Sequence, residues 1–421
     1  MSAGVVIVGA GQAGAQLAMS LREMGHAGSV TVIGDEHHPP YHRPPLSKDF
    51  LDGGLAESEL ALRTEEYYRD RGIELVAGTA VTSIDRGRNE VLLSSGRVVA
   101  YAHLVLATGA RNRQLPIADG GADNVHYLRT MEDARRVRHA LERAQNVLIV
   151  GAGFIGLEFA SAAARRGARV TVVEAAPRVL GRAVAEETSA YFAHRHAVEG
   201  STVLCGCAVD EFRTDSRGRV TEVRIGDRVQ PVDLVLVGIG VAPNSELAEE
   251  AGLVVNDGIV VDAQLVTSDP AISAIGDCAR FPRAGAASIR LESVQNASDQ
   301  ARYAARRICR ADEPIADYGE VPWFWSHQAG DKLQIAGLAL PTDSAVFLGD
   351  PSSGRFSVCR FRDGFLSAVE SVNSPGDHLS ARKLFARGAR VTEEQLRAPE
   401  FSLRSAAAGG TTQAQQERTS A

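Results

Sequence analysis

The sequence lacks the cysteine spacing that marks thiol redox or zinc chemistry. Its five cysteines, Cys205, Cys207, Cys278, Cys309 and Cys359, are odd in number and form no C-x-x-C, which argues against a disulfide framework and a structural zinc site. Cys205 and Cys207 lie two apart on an expected strand, and all five are expected to be buried, unreactive thiols. No apolar run reaches the ~18 residues of a membrane helix. The first residues have neither the basic start nor the cleavage site of a signal peptide, so a cytoplasmic protein is expected. Positive charge is in deficit, with a net charge of -7, which argues against a nucleic-acid binder, whose surface must neutralise phosphates. Aromatics are scarce and glycines abundant, as in an α/β protein, and 421 residues suffice for two or three domains with separate cores.

What the chain does contain is a duplication. VVIVGA, Val5 to Ala10, precedes a helical stretch from about Gln12 to Met24 and the strand SVTVI, Ser29 to Ile33. The same order returns as NVLIVGA (Asn146 to Ala152), a helix from about Phe154 to Arg166, and RVTVVE (Arg169 to Glu174). The glycines of the two copies are all offset by 142 residues, so these are two copies of one βαβ unit rather than a solenoid repeat. LVLATGA (Leu104 to Ala110) and LVLVGIGVAPN (Leu234 to Asn244) close the two copies, and AISAIGDCA (Ala271 to Ala279) follows without a glycine fingerprint of its own. The economical arrangement is a first dinucleotide-binding domain made of residues 1–113 and 246–322, interrupted by a second at 114–245. From Trp323 the alternation of WFWSHQAGDKLQIAG, AVFLGD, RFSVCRF and FLSAVESV predicts a small antiparallel sheet, giving a C-terminal α+β domain over 323–405. Residues 406–421 have no apolar periodicity and read as a disordered tail.

In each copy the first glycine (Gly9, Gly151) allows the tight turn after the strand. The second (Gly11, Gly153) lets the backbone approach a pyrophosphate, and the third (Gly14, Gly156) lets helix and strand pack closely. The helix N-terminus then offers free N–H groups and a positive dipole end. An acid after the next strand should hold a ribose: Asp35 or Glu36 in the first copy, Glu174 in the second. A carboxylate there repels a 2′-phosphate, at about 4 kcal/mol for charges ~4 Å apart in an effective dielectric of ~20. Glu174 thus favours NADH over NADPH, a preference that Arg178, four residues on, would soften. Two fingerprints imply two dinucleotides, and for redox work the natural pair is a resident FAD and an exchanging NADH.

The motifs VIVGAGQAG, YHRPPLSK, LVLATGARNR, HYLRTMEDA, GAGFIGLE, GIGVAPN, AIGDCAR, LESVQNASDQAR, WFWSHQ and ESVN run in order through nearly the whole chain. In them the sequence resembles the FAD-dependent NADH:ferredoxin reductases of bacterial monooxygenase systems, the putidaredoxin reductase and rhodocoxin reductase family. The resemblance implies a glutathione-reductase-like fold: two Rossmann-type dinucleotide-binding domains and a C-terminal α+β interface domain. It implies FAD against Gly9, Gly11, Ala13 and Gly14, with Asp35 at its ribose, Lys48 near the flavin, and Val81, Arg129, Asp277 and Val294 as further contacts. NADH would lie against Gly151, Gly153, Gly156 and Glu174. Glu158 would reach the nicotinamide and flavin and pair with Lys48, Trp323 and Trp325 would lie near the flavin, and the N-terminus of the helix starting near Ser293 would point at the flavin's pyrimidine edge. Along that helix Arg302, Arg306 and Arg310 recur every four residues with Arg307 beside them, a basic stripe suited to an acidic [2Fe-2S] ferredoxin.

Two rivals fail on a missing residue. A disulfide reductase needs a cysteine pair beside the flavin and an NADH oxidase one peroxidatic cysteine, yet the region Asp35 to Gly54 has none. The overall likeness favours a cytochrome P450 monooxygenase, reached through its ferredoxin, as the user of the electrons; the alternatives are a ring-hydroxylating dioxygenase, or no user at all, as in a slowly turning NADH/FAD sensor of the apoptosis-inducing-factor type.

Overall fold

The computed structural model describes residues 4–115, 122–283, 286–311 and 313–409, which form two compact units. The first comprises the chain up to Arg113, Arg129–Ala134 and Gly240–Glu320; the second comprises Gln114–Leu128, Arg135–Ile239 and the chain from Val321.

In the first unit the strands Ile73–Val76, Val30–Ile33, Gly4–Val8 and Val98–Leu106 lie side by side and parallel, and Ile272–Ala274 adds parallel beyond Val98–Leu106. The N-terminal half of Val98–Leu106 carries an antiparallel extension through Glu90–Leu93 and Val81–Asp85. Strands covered on both faces read as continuous apolar runs, and Gly4–Val8 is buried throughout. The helix Gln12–Glu23 packs against the helix Val294–Cys309, and Ala13, Leu17, Ala18 and Leu21 share a core with Ala297, Ala301, Ala304 and Ala305. The stretch Ala271–Ala279 reads in sequence as an apolar strand ending in Gly-Asp; the strand stops at Ala274, and that Gly-Asp opens the turn Gly276–Cys278.

The chain crosses from the first unit at Arg113 and returns at Gly240, not at 245, because Ala110–Asn112 and Val241–Pro243 pair antiparallel. It also returns once in between. Arg129 and Thr130 donate their N–H groups to Asp133 at 3.0 and 2.9 Å, and Met131 donates to the Tyr41 hydroxyl at 3.1 Å. These bonds cap the helix Met131–Leu141 and fasten its start to the first unit.

The second unit holds the second βαβ copy, a parallel sheet in the order Thr202–Cys205, Arg169–Glu174, Asn146–Val150, Leu234–Val237 and Val125–His126. A three-stranded antiparallel sheet, Glu211–Thr214, Val220–Ile225 and Arg228–Pro231, packs on it; its short, half-exposed strands gave no clear alternation. The C-terminal sheet is antiparallel in the order Trp323–Gln328, Asp331–Gly337, Phe365–Val372, Arg355–Arg362, Ser344–Asp350. Its first hairpin turns on Ala329 and Gly330, both at positive φ as a two-residue hairpin loop requires, and the Ala329 N–H donates to Ser161 Oγ at 2.7 Å. Residues 406–408 are not tail: Ser402 caps a helix Leu403–Ala408 whose Leu403 and Ala407 are buried and which ends at Gly409, and residues 410–421 of the expected tail lie outside the described residues. Among the described residues no helix is long and apolar enough to cross a membrane.

Arg307 joins three elements of the first unit. It donates to His103 Nε2 at 2.8 Å and to Ser273 Oγ at 2.7 Å, and burial followed by the Arg307 charge pushes His103 down to about 4. His103 is therefore neutral in the folded protein but titrates near its usual ~6.5 when unfolded. Stability from this group is complete above pH ~6.5 and is lost as pH falls from there toward about 4. Denaturant unfolding between pH 7.5 and 4.5 should show this decline, and His103→Asn should flatten it; an unchanged slope in that variant refutes the assignment.

Candidate functional site

The two glycine loops have the same geometry. Gly9 has φ +114 and Gly151 φ +105, and a Cβ on either would lie 2.1 Å from Ala107 O or 2.4 Å from Gly238 O. A Cβ on Gly14 would lie 1.9 Å from Gly9 O, and one on Gly156 2.1 Å from Gly151 O. In contrast, Gly11 and Gly153 face open space, with nothing within 4 Å of an added Cβ. Each is the N-cap of its helix, with no side-chain cap. Two helix N-termini thus present uncapped N–H groups at an opening, an arrangement that fits an anion such as a dinucleotide pyrophosphate.

Around the first loop, Ala13 is buried against the turn at Gly276, whose added Cβ would come within 3.1 Å of Ala13 Cβ. The next residue, Asp277, pairs with Arg129 at 2.9 Å, while the Gly276 N–H donates to Gln300 Oε1 at 2.7 Å. Ala13, Arg129 and Asp277 are thereby brought together. The two candidate acids of this copy separate. Glu36 pairs with Arg43 and accepts from the Tyr41 hydroxyl at 2.5 Å, whereas Asp35 is exposed just past the strand. Arg43, which the sequence did not single out, also donates to Arg129 O at 2.7 Å and so steadies the Arg129–Asp277 pair. Pro44 and Pro45 open a 3-10 turn, Pro44–Ser47, and Lys48 follows half-buried, donating to Pro44 O at 3.2 Å. Val81 begins an edge strand and Val294 the long helix capped by Ser293; both are half-buried.

Around the second loop, Glu174 accepts the N–H of Ala152 at 2.7 Å and of Ala176 at 2.8 Å, so the acid also braces the glycine turn. Arg178 is engaged by backbone: its guanidinium donates to Val184 O and Gly181 O, both at 2.8 Å, and to Ala185 O at 3.4 Å. Glu158, 3 % exposed, accepts from Ser326 Oγ at 2.6 Å; Ser326 accepts from Gln328 at 3.2 Å, and Gln328 Oε1 lies 3.1 Å from His196 Nε2. This polar chain was hidden in the sequence, although two polar residues on one face of an otherwise apolar strand, Ser326 and Gln328, were its signal. Gln16, the first copy's counterpart of Glu158, instead donates within its own helix, to Ser20 Oγ at 3.0 Å.

Trp323 and Trp325 stack obliquely with centroids 5.5 Å apart, and the Arg382 guanidinium lies 4.2 Å from the Trp323 ring centre. The expected basic stripe needs correction. Arg302, Arg306 and Arg310 are exposed, with Arg302 and Arg310 paired to Asp299 and Glu313 at 3.0 and 3.2 Å, but Arg307 is half-buried and bonded to His103 and Ser273. A face defined by steps of four excludes position 307, about 100° round the helix from 306. The thiols also differ from expectation: Cys278 and Cys359 are buried, with Cys359 pushed up to about 12 by burial, but Cys205 is exposed.

The profile of the family described as pyridine nucleotide-disulphide oxidoreductase matches residues 3–301, and that described as reductase C-terminal matches 323–407. Rhodocoxin reductase of Rhodococcus erythropolis is 45% identical over 406 residues, 96% of this chain and 94% of that protein. Among solved structures, the ferredoxin reductase of the CYP199A2 system from Rhodopseudomonas palustris superposes with TM-score 0.92 at 45% identity, over 96% of this chain and 100% of the other. The reductase in a covalent putidaredoxin reductase–putidaredoxin complex gives 0.92 at 39%, over 97% and 99%.

The glycines separate ligand space from packing space. Gly153→Ala should leave the melting temperature within about 2 °C, since its Cβ meets nothing, yet weaken dinucleotide binding at least tenfold. Gly156→Ala must force backbone apart and should destabilise the unit itself, by roughly 2 kcal/mol or more. Thermal unfolding and nucleotide titration of the two variants check this, and equal melting temperatures would contradict it.

Proposed function

The chain belongs to the pyridine nucleotide-disulphide oxidoreductase family, and from that premise we propose that it is an NADH-dependent flavoprotein reductase supplying single electrons to a [2Fe-2S] ferredoxin of a cytochrome P450 monooxygenase, within the cytoplasm. The observation that carries the reading is the doubled cradle with unlike flanks. One loop is flanked by the Arg129–Asp277 pair and the Val294–Cys309 helix, as suits a resident FAD; the other is flanked by Glu174 and Glu158, as suits an exchanging nicotinamide nucleotide. No cysteine lies between Asp35 and Gly54, which supports electron exit to a partner rather than to a disulfide.

When bound, FAD supplies the conversion between a hydride's electron pair and single electrons. The chain's residues bind and orient. In this reading Gly9, Gly11, Ala13 and Gly14 hold the FAD pyrophosphate on the helix N-terminus, Asp35 the adenosine ribose and Asp277 the ribityl chain, with Arg129 fixing the rotamer of Asp277. Val81, Val294 and Trp323 are the further residues assigned to FAD. Gly151, Gly153 and Gly156 take the NADH pyrophosphate and Glu174 its ribose. The engagement of Arg178 by carbonyls supports NADH over NADPH, since this cation four residues past the acid is already committed. Lys48 and Glu158 are the charged side chains assigned to hydride transfer. The 2.6 Å bond from Ser326 orients Glu158 in a buried setting, where a carboxylate would act on a bound nicotinamide with little solvent screening. Arg302, Arg306 and Arg310 form the exposed patch for an acidic ferredoxin.

Glu158→Gln should lower kcat for NADH oxidation at least tenfold with KM changed less than about threefold, as for an interaction that matters in the transition state; a change confined to KM would return Glu158 to a packing role. Reversing Arg302 and Arg306 to glutamate should slow ferredoxin reduction and weaken its salt dependence while sparing NADH-to-ferricyanide activity. Equal loss in both assays would remove the patch from partner recognition. A long-lived reduced protein passing few electrons to any ferredoxin would favour a sensor instead.

A further inference from the structure

Between the strand Arg169–Glu174 and the helix Glu186–Val198 runs AAPRVLGRAVA, residues 175–185. One peptide unit in it, joining Val184 and Ala185, is gripped at both ends. Its carbonyl accepts from Arg178 at 2.8 Å, and its N–H donates to both carboxylate oxygens of Glu370, at 2.9 and 3.0 Å. A peptide unit is planar, so a cation on the oxygen and an anion on the N–H together fix its orientation. Glu370 is fully buried on the strand Phe365–Val372 and pairs with Arg360 at 3.2 Å; Arg360 in turn donates to the carbonyls of Leu340 and Asp343.

The middle of the loop reaches the glycine turn. Leu180 sits at φ +52, a left-handed conformation that a leucine keeps only when its surroundings impose it. Its N–H donates to Ala152 O at 2.9 Å, and the Ala152 N–H donates to Glu174 at 2.7 Å. Val179, Leu180 and Val184 are buried, so the segment is packed as well as bonded.

We propose that Arg178 and Glu370 are positioning residues for the pyridine-nucleotide site. By holding the Val184–Ala185 peptide between them they keep Leu180 in its left-handed turn on Ala152, and through Ala152 they set Glu174 and the glycine loop that receive the nucleotide. The strand bearing Glu370 thus contributes to nucleotide affinity without touching the nucleotide, and the arginine is a clamp, not a phosphate ligand. The inference rests on the reading of the second cradle as the NADH site.

The test is steady-state ferricyanide reduction by the FAD-loaded full chain, with NADH and with NADPH, for R178A, R178K, E370Q, the R178A/E370Q double variant and E174A, alongside thermal unfolding. R178A should raise KM for both nucleotides by a similar factor, about tenfold, the scale of a lost charge-assisted hydrogen bond, with kcat little changed. R178K, which keeps a donor, should recover part of that. The double variant should do no more than the worse single, because both act through one peptide. Additive losses in the double variant would overturn the proposal. So would a rise in KM confined to NADPH, the mark of a phosphate ligand, or a lower melting temperature with both KM values unchanged, the mark of plain structural support. If E370Q does not accumulate, the Arg178 pair alone decides through the two KM values and the R178K recovery. An E174A variant with an unchanged NADH to NADPH ratio would overturn the site assignment itself, a failure distinct from that of the clamp.

Discussion

No methyl group fits between the third glycine of either fingerprint and the carbonyl of the first: the space at Gly14 and at Gly156 is closed by backbone, at 1.9 and 2.1 Å from an added Cβ. This close approach brings each helix down onto its strand and aims the uncapped N-terminus at the opening beside Gly11 or Gly153. Everything that gives the two loops a use follows from it. The helix dipole, the free N–H groups and the acid after the next strand converge on one spot only while helix and strand stay in contact.

From that shared constraint the two copies diverge in what surrounds them. The first loop is enclosed by residues that return from far along the chain, Arg129 and the Gly276–Cys278 turn with Asp277, and is tied further by Gln12 to Ser298 on the long helix. Such enclosure suits a cofactor that stays. The second loop is bounded by short-range bonds to Glu174 and by the segment 175–185, and its helix carries one buried carboxylate, Glu158, held by a serine of the C-terminal sheet. A ligand that must leave each turnover is better served by a preset loop than by an enclosing one.

The duplication, the parallel sheets and the alternation of the C-terminal strands were legible because each is written in local pattern: apolar runs, glycine spacing and period-two alternation. The three-stranded sheet at Glu211–Pro231 and the helix Leu403–Ala408 were not, because short half-exposed strands and an alanine-rich turn of helix carry little pattern of their own.

The sequence by itself determined where the two dinucleotide cradles lie, that no thiol pair stands beside the first, and that the residues after Trp323 build an antiparallel sheet. Only the tertiary structure decided which charged residues are free to act. Glu36 is taken by Arg43 and Tyr41, leaving Asp35; Arg307 is taken by His103 and Ser273, leaving Arg302, Arg306 and Arg310 on the surface; Arg178 is taken by the carbonyls of its own loop. The reason is physical. Periodicity fixes the face of an element on which a side chain stands, but a charge is engaged by whatever partner the fold delivers to it: His103 reaches Arg307, and the Ala185 N–H reaches Glu370, from more than a hundred residues away in sequence.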